Sequence, residues 1–368
     1  MITLGIGMIV KDEELVIERF LNNFSDCVDQ IVIVDTGSTD KTMDIIKNYI
    51  QENQTRAEII LLEHPWNNNF GEARNYAFEH VTTDYVMWMD ADDVIDINTY
   101  GFFAAFDDYC KQHGNPDQFT MEYLLSRDAN GQKSSKMRRL RIVKNDGNYK
   151  WEGHIHECIV SSKTQKKECY IEDEFYIEHR KIKPHGDRNL KIFESMIENG
   201  DPMTNRDQVY YGHELFYNGR YEEAKKQYQK CFEKYPTWYG DAYDILLKLI
   251  RMTNIQDEKA GIAFRSFFYG PKGSRPDFLC IIGDAYFNKG QKEGAIAWYQ
   301  KALEKAESYD YSRSDIIDTK YLTWYPYLYL SLCYWDTDYE KSKYYHQLLR
   351  TKYPDNSFGI NNDKWFQK

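Results

Sequence analysis

The chain has 368 residues, enough to bury two separate cores, and a net charge of −11 that sets it against a phosphate backbone by long-range repulsion. Nucleic acid is thereby excluded as an expected partner, whereas a small anionic substrate is not, provided a cation or local basic groups neutralise it. Seven scattered cysteines, odd in number and without a C-x-x-C pair, argue against a zinc site or a disulfide framework and for reduced, buried thiols in a cytoplasmic protein.

The first apolar run, Met1–Val10, has no basic stretch before it and no small-residue cleavage site after it. It runs into Lys11-Asp12-Glu13-Glu14 and reads as a strand over Leu4–Val10 rather than a signal peptide. Ile17, Phe20, Leu21 and Phe24 follow at helical spacing. A second buried strand begins at Gln30 and ends on Asp35. Thr36-Gly37-Ser38-Thr39 then turns the chain and offers cap residues to a helix carrying Ile45, Ile46, Tyr49 and Ile50. Strands over Ile59–Leu62 and Tyr85–Met89 flank a helical stretch around Glu72–Phe78. This alternation predicts a parallel sheet covered on both faces, with the crevice at the carboxyl ends of its strands, where Asp35 and Asp90-Ala91-Asp92 fall.

From Asp117 the rhythm turns antiparallel in character. Phe119–Leu125 and Met137–Val143 flank an Asn130-Gly131 turn signal, and further strands are expected near Tyr149–Glu152, Ile155–Val160 and Cys169–Glu178. Pro184-His185-Gly186 punctuates the end of this region. Beyond it, Gly212, Leu215, Gly219, Ala224, Tyr228, Cys231 and Pro236 follow tetratricopeptide spacing. The pattern recurs in Gly283, Tyr286, Gly290, Ala295, Tyr299 and Ala302. A degenerate repeat is expected between them, and a weaker one through Cys333, Ser342, His346, Leu349 and Pro354. The expected domains are 1–187 and 188–368. No stretch reaches the length of a transmembrane span.

Two aspartates two apart at a strand end can share ribose contact and metal coordination, and a divalent cation held there neutralises the charge that builds on a leaving diphosphate. The pattern alone is weak, since Asp336-Thr337-Asp338 repeats it inside the helical region. Only Asp90-Ala91-Asp92 follows a buried strand in the alternating domain.

Motif order adds a resemblance. Met8-Ile-Val-Lys-Asp-Glu-Glu14, Ile31-Val-Ile-Val-Asp-Thr-Gly-Ser-Thr-Asp40, Phe70-Gly-Glu-Ala-Arg-Asn75 and Trp88-Met-Asp-Ala-Asp-Asp93 are followed by Arg139-Leu-Arg-Ile, Trp151-Glu-Gly-His-Ile-His-Glu157 and Glu178-His179. This layout resembles a family 2 glycosyltransferase of GT-A fold, a Rossmann-like mixed sheet, followed by an all-α tetratricopeptide-repeat domain. It is similar to the peptide S-glycosyltransferases that modify glycocin bacteriocins. One departure is His154, an additional histidine where those enzymes suggest a basic residue.

The resemblance implies an inverting hexosyl transfer from a UDP-sugar with Mg²⁺ or Mn²⁺ to a Cys or Ser/Thr side chain of a peptide or protein. Val10, Glu13, Asp35, Arg74, Asp90, Ala91 and Asp92 would line the nucleotide pocket, with Asp35 on uracil or ribose and Arg74 on base or phosphates. Asp92 would ligate the metal, with His179 completing its shell. Glu157, or Glu152 behind it, would act as the base. Read without the resemblance, Asp35 is equally a helix cap, Arg74 a solvated helical arginine, His179 a structural histidine and Glu157 a surface carboxylate. On a strand Arg139 and Arg141 share a face and Arg138 takes the other; with Lys136 and Lys144 they would meet the donor diphosphate or an acidic acceptor, or protect an exposed strand. Exposed repeats would accept a peptide or pair two subunits. Rival expectations are a cell-envelope glycan acceptor and a repeat scaffold on a degenerate nucleotide-binding domain; a nucleotidyltransferase would need a glycine-rich phosphate loop that the first strand–helix turn does not carry.

Overall fold

The computed structural model describes residues 1–127, 131, 133–182, 186–234, 239–269, 274–309 and 317–366. Asn130 of the expected turn, Pro184-His185 of the expected punctuation and Pro236 of the first repeat lie outside them. Two compact units divide the chain: Met1–Arg127 with Lys136–Asp207, and the remainder.

The first unit opens with β1 (Leu4–Val10), α1 (Ile17–Phe24), β2 (Gln30–Asp35), α2 (Thr42–Glu52), β3 (Glu58–Glu63), α3 (Phe70–Glu79) and β4 (Tyr85–Trp88). It continues with β5 (Asp93–Ile95), α4 (Ile97–Ala104), α5 (Phe106–Gln112), β6 (Gln118–Arg127), β7 (Lys133–Lys144), β8 (Tyr149–Glu152), β9 (Cys158–Ser161), β10 (Glu168–Tyr170), β11 (Tyr176–His179) and α6 (Arg188–Asn199). The main sheet runs β3-β2-β1-β4-β7-β6-β11-β5, with β10 beside β6, while β8 and β9 pair separately. Strands β1 to β4 are parallel to one another, as the alternation predicts. Period-2 side-chain alternation sorts β2 between two cores. Ile31 and Ile33 pack with Phe20 and Phe24 of α1, whereas Val32 and Val34 pack with Ala77, Trp88 and Trp151.

The second half of the sheet is mixed rather than antiparallel. β7 runs antiparallel to β4 and β5 antiparallel to β11, but β10 and β11 both lie parallel to β6. The apolar run over Cys169–Glu178 is cut by the acidic turn Glu172-Asp173-Glu174, where Phe175 N donates to Glu172 O (3.0 Å). The start of α2 also differs from the expectation. Its N-cap position is Lys41, without a side-chain cap, and the residue before it, Asp40, accepts from Thr42 N on Oδ1 (2.9 Å).

The second unit stacks α7 (Asn205–Tyr217) on α8 (Tyr221–Lys234), followed by α9 (Tyr239–Arg251), α10 (Gln256–Arg265), α11 (Pro276–Asn288), α12 (Lys292–Glu307), α13 (Trp324–Tyr334), α14 (Tyr339–Lys352) and α15 (Ser357–Asn362). The pair α9–α10 fills the interval between the two clear repeats. The repeat pattern has a steric cause: a Cβ on Gly283 would stand 2.8 Å from the Tyr299 ring, and one on Gly212 only 2.6 Å from that of Tyr228. Cys333, Ser342, His346 and Leu349 are buried along α13 and α14. The seven thiols are free and all but Cys158 are buried, which pushes Cys27 up to about 12. Among the described residues no helix is long and apolar enough to cross a membrane.

Candidate active site

The carboxyl ends of β1 and β2 are laced together. Asp12, with φ +55°, takes Thr39 N on Oδ1 (2.6 Å) and donates its own N to Ser38 Oγ (2.9 Å). Asp40 Oδ2 accepts from Glu14 N (3.1 Å), and Glu13 N donates to Thr42 Oγ1 (2.7 Å). Val10, paired with Asp35 in register, uses its carbonyl to hold Thr36 N and Oγ1 (both 3.0 Å). Asp35 stands on this platform almost fully buried. Its Oδ1 accepts from Gly37 N (2.8 Å) and Ser38 N (2.9 Å), while Oδ2 is buried without a partner. A buried carboxylate oxygen left open carries a substantial desolvation cost, which a hydrogen-bond donor on a ligand would relieve.

Two strands along, the chain leaves β4 through Asp90-Ala91-Asp92-Asp93, closed by Asp93 N on Asp90 O (3.0 Å). Ala91 is buried. The main-chain oxygen of Asp92 accepts from Arg180 N (3.0 Å) and Arg19 Nη2 (3.3 Å), so the residue is pinned by its backbone and its carboxylate stays available. His179 arrives on β11 directly across from Asp93 in register. Its Nδ1 lies 3.3 Å from Asp92 Oδ1 and 3.2 Å from Asp93 Oδ1. Burial alone would lower the imidazole, but the two carboxylates outweigh it and hold His179 up at about 10. The ligand atoms of Asp92, Asp93 and His179 lie within 4.8 Å of one another. A carboxylate–imidazole set of this kind suits Mn²⁺ well and admits Mg²⁺.

Arg74 is not a solvated arginine. It is buried between the rings of Trp88 (5.2 Å) and Trp151 (5.0 Å). Nη2 donates to Asp90 Oδ1 (2.9 Å), Nε to Glu157 Oε1 (2.7 Å), and Nη1 is buried without a partner. Burial would raise the Asp90 carboxyl, but the guanidinium outweighs it and leaves Asp90 below the usual carboxylate range. The neighbours of Arg74 in the motif aim α3: Asn75 exchanges two hydrogen bonds with the Trp151 backbone (2.8 and 3.0 Å), and Gly71 N donates to Gly153 O (3.2 Å). A Cβ at position 71 would meet that oxygen at 2.6 Å, so only glycine admits the approach.

Glu157, a surface carboxylate on the plainest reading of its sequence, is only 12% exposed and sits against Arg74. Glu152 pairs with Lys150 (2.8 Å) and has no partner in the cluster. The basic stretch neither guards an edge nor faces a diphosphate as a group, because β7 lies between β4 and β6. Lys136 pairs with Glu122 (2.6 Å), Arg138 with Asp173, and Lys144 with Asp117 (3.1 Å). Arg141 is wholly buried. Asp93, Tyr123, Trp88 and Trp151 had no assigned role in the sequence reading. The only signal for them was adjacency: Asp93 extends the aspartate run, and Arg141 closes Arg139-Leu140-Arg141.

Asp35 and Asp92 thus both stand at the carboxyl ends of parallel strands, where open α/β sheets place their ligands. Residues 6–113 match the glycosyl transferase family 2, and residues 211–236 and 276–309 match tetratricopeptide repeats. The chain thus carries a family 2 glycosyltransferase domain followed by tetratricopeptide repeats. It is 25% identical over 266 residues to the SPbeta prophage-derived glycosyltransferase SunS of Bacillus subtilis, covering 68% of this chain and 60% of that protein. It is 28% identical over 162 residues to a TPR repeat-containing protein of Synechococcus elongatus, covering 44% of this chain and 36% of that one. The chain therefore spans 60% of the length of the first of these curated relatives and 36% of the second. The crystal structure of S. aureus TarS 1–349 matches with a TM-score of 0.37 at 14% identity, over 77% of this chain and 89% of that one.

Proposed function

We propose that the chain is an inverting, metal-dependent glycosyltransferase that moves a hexose from a UDP-sugar to a Cys or Ser/Thr side chain of a peptide or protein. What chiefly supports the reading is that the family 2 region carries, at one end of its parallel strands, an open Asp35 oxygen and the half-buried Asp92, which His179 meets from β11. The strands that lead to Asp35 and Asp92, β2 and β4, are separated only by β1, a lateral distance of about 10 Å that a nucleoside can span. Asp35 would accept from uracil or ribose, and Asp90, oriented by Arg74, from the ribose. Asp92 and His179 would hold Mn²⁺ or Mg²⁺, which when bound supplies charge neutralisation for the departing UDP.

In the transfer, the acceptor sulfur or oxygen forms a bond to the anomeric carbon from the face opposite the diphosphate. The bond from that carbon to the β-phosphate oxygen breaks, UDP leaves with the electron pair, and the acceptor proton passes to Glu157. A thiol acceptor asks little of the base, since its thiolate is accessible near neutral pH. The repeat unit would bind the polypeptide around the acceptor residue.

Release of UDP from a panel of UDP-sugars with Mn²⁺ tests this. Turnover of one donor by the wild type, lost in Asp92→Ala, is the expected result. Absence of UDP release and of calorimetric UDP binding would replace the enzyme with a repeat scaffold. Transfer only to glycans or lipids would overturn the peptide acceptor.

A further inference from the structure

Three acidic or imidazole side chains converge at the end of β4, yet they are not chemically equivalent. Asp93 is fully buried, and each of its oxygens is already occupied twice. Oδ1 accepts from Tyr123 OH (2.8 Å) and faces His179 Nδ1 (3.2 Å). Oδ2 takes Arg141 Nη1 (3.2 Å) and Asp90 N (3.2 Å). An ionised carboxylate offers about four lone-pair sites, and these contacts use them all. Asp92, 21% exposed, has only His179 beside its carboxylate among the described residues.

Arg141 explains how a carboxylate survives there. Its guanidinium is wholly buried, stacked between the Trp88 ring (3.6 Å) and the Tyr123 ring (4.1 Å), and it also donates to Trp88 O (3.2 Å). A planar cation between two aromatic faces tolerates burial that an ammonium would not. It ties the last residue of β4 to the charge of Asp93. His179 Nδ1 is thereby engaged, and Nε2 has no partner among the described residues.

We propose that Asp93 is a positioning residue of the metal site and not one of its ligands: Arg141 and Tyr123 hold it, it holds Nδ1 of His179, and Nε2 is the nitrogen left to meet a divalent cation alongside Asp92. The inference rests on the proposed metal site, but its first test needs neither metal nor donor. A histidine held on its second nitrogen by a carboxylate is oriented and made a better ligand, and loss of such support costs about 10–100-fold in metal affinity.

In metal-free protein labelled with ¹⁵N-histidine, and assigned with His179→Gln, the His179 Nδ1 proton is expected strongly downfield. It should persist in Asp92→Asn and vanish in Asp93→Asn. The Mn²⁺ affinity read by electron paramagnetic resonance should then fall roughly tenfold or more in Asp93→Asn. Tyr123→Phe removes one donor from the same oxygen without stranding the buried Arg141. It should fold, shift the downfield resonance and weaken Mn²⁺ several-fold. The proposal is overturned if Asp92→Asn abolishes the resonance while Asp93→Asn spares it, or if Tyr123→Phe leaves both the resonance and Mn²⁺ binding unchanged. A retained resonance with no Mn²⁺ binding by the wild type overturns the metal reading and spares the Asp93–His179 pairing.

Discussion

The chain carries the same three-residue pattern twice, and the two copies have opposite fates. In Asp336-Thr337-Asp338, Asp336 pairs with Lys292, and Asp338 caps α14 by accepting from Lys341 N (3.1 Å). Both carboxylates are satisfied within the repeat unit. In Asp90-Ala91-Asp92, the first aspartate is oriented by Arg74, and the second is fixed through its backbone with its carboxylate left to a histidine. What separates the proposed site from a surface turn is therefore not the aspartates but what surrounds them: a guanidinium behind one, and a pinned main chain under the other.

That contrast can be broken experimentally. The largest effect is expected for Asp92→Ala, which should reduce Mn²⁺-dependent UDP release at least about a hundredfold with little change in thermal midpoint, since the carboxylate supports no fold contact beyond His179. Next comes Arg74→Met. Removing a buried cation from between two carboxylates should destabilise by about 3 kcal/mol, read from the urea midpoint, and should impair donor binding as well. Gly283→Ala should cost roughly 1–3 kcal/mol by driving a methyl into the Tyr299 ring, lowering the melting temperature while UDP release per folded molecule stays unchanged. Asp338→Ala should cost only a few degrees of melting temperature through its lost cap and should leave UDP release within twofold. A result in which Asp338→Ala abolished release would dissolve the contrast altogether.

The smallest effect concerns pH. Asp117 is held below the usual carboxylate range by Lys163, the Lys167 backbone N–H and Lys144. Because its folded value is depressed, its contribution is complete above the unfolded value near ~3.9 and is lost as pH falls through the folded value. Acid titration of the melting temperature should therefore decline less steeply below pH 4 in Asp117→Asn than in the wild type.

The parallel strands were legible in the sequence because each is built on a short apolar run, and the repeats because small–aromatic spacing reflects a steric fit. Motif order singles out Asp35, Arg74, Asp92 and His179 as candidates. Their partners were not legible. Strand alternation puts Arg138 and Arg141 on opposite faces, but nothing in Arg138-Arg139-Leu140-Arg141 tells that one meets Asp173 and the other enters an aromatic sandwich. Asp93 looked like a third copy of its neighbours until burial and register distinguished it. The orientation of β10 and β11 was equally hidden, because a three-residue acidic turn between apolar residues can reverse a chain or merely offset it.

The reciprocal bonds between the segments after β1 and β2 bear on how such an enzyme can be re-engineered. Asp12, Glu14, Ser38 and Asp40 each complete a hydrogen bond begun by the other segment. Grafting one of these loops from a relative with a different donor preference would import half of a lace and leave the other half untied. Donor swaps in this scaffold should be built as paired transplants, with residues 11–16 and 36–42 exchanged together, and sequence libraries that vary one loop alone should yield mostly inactive clones.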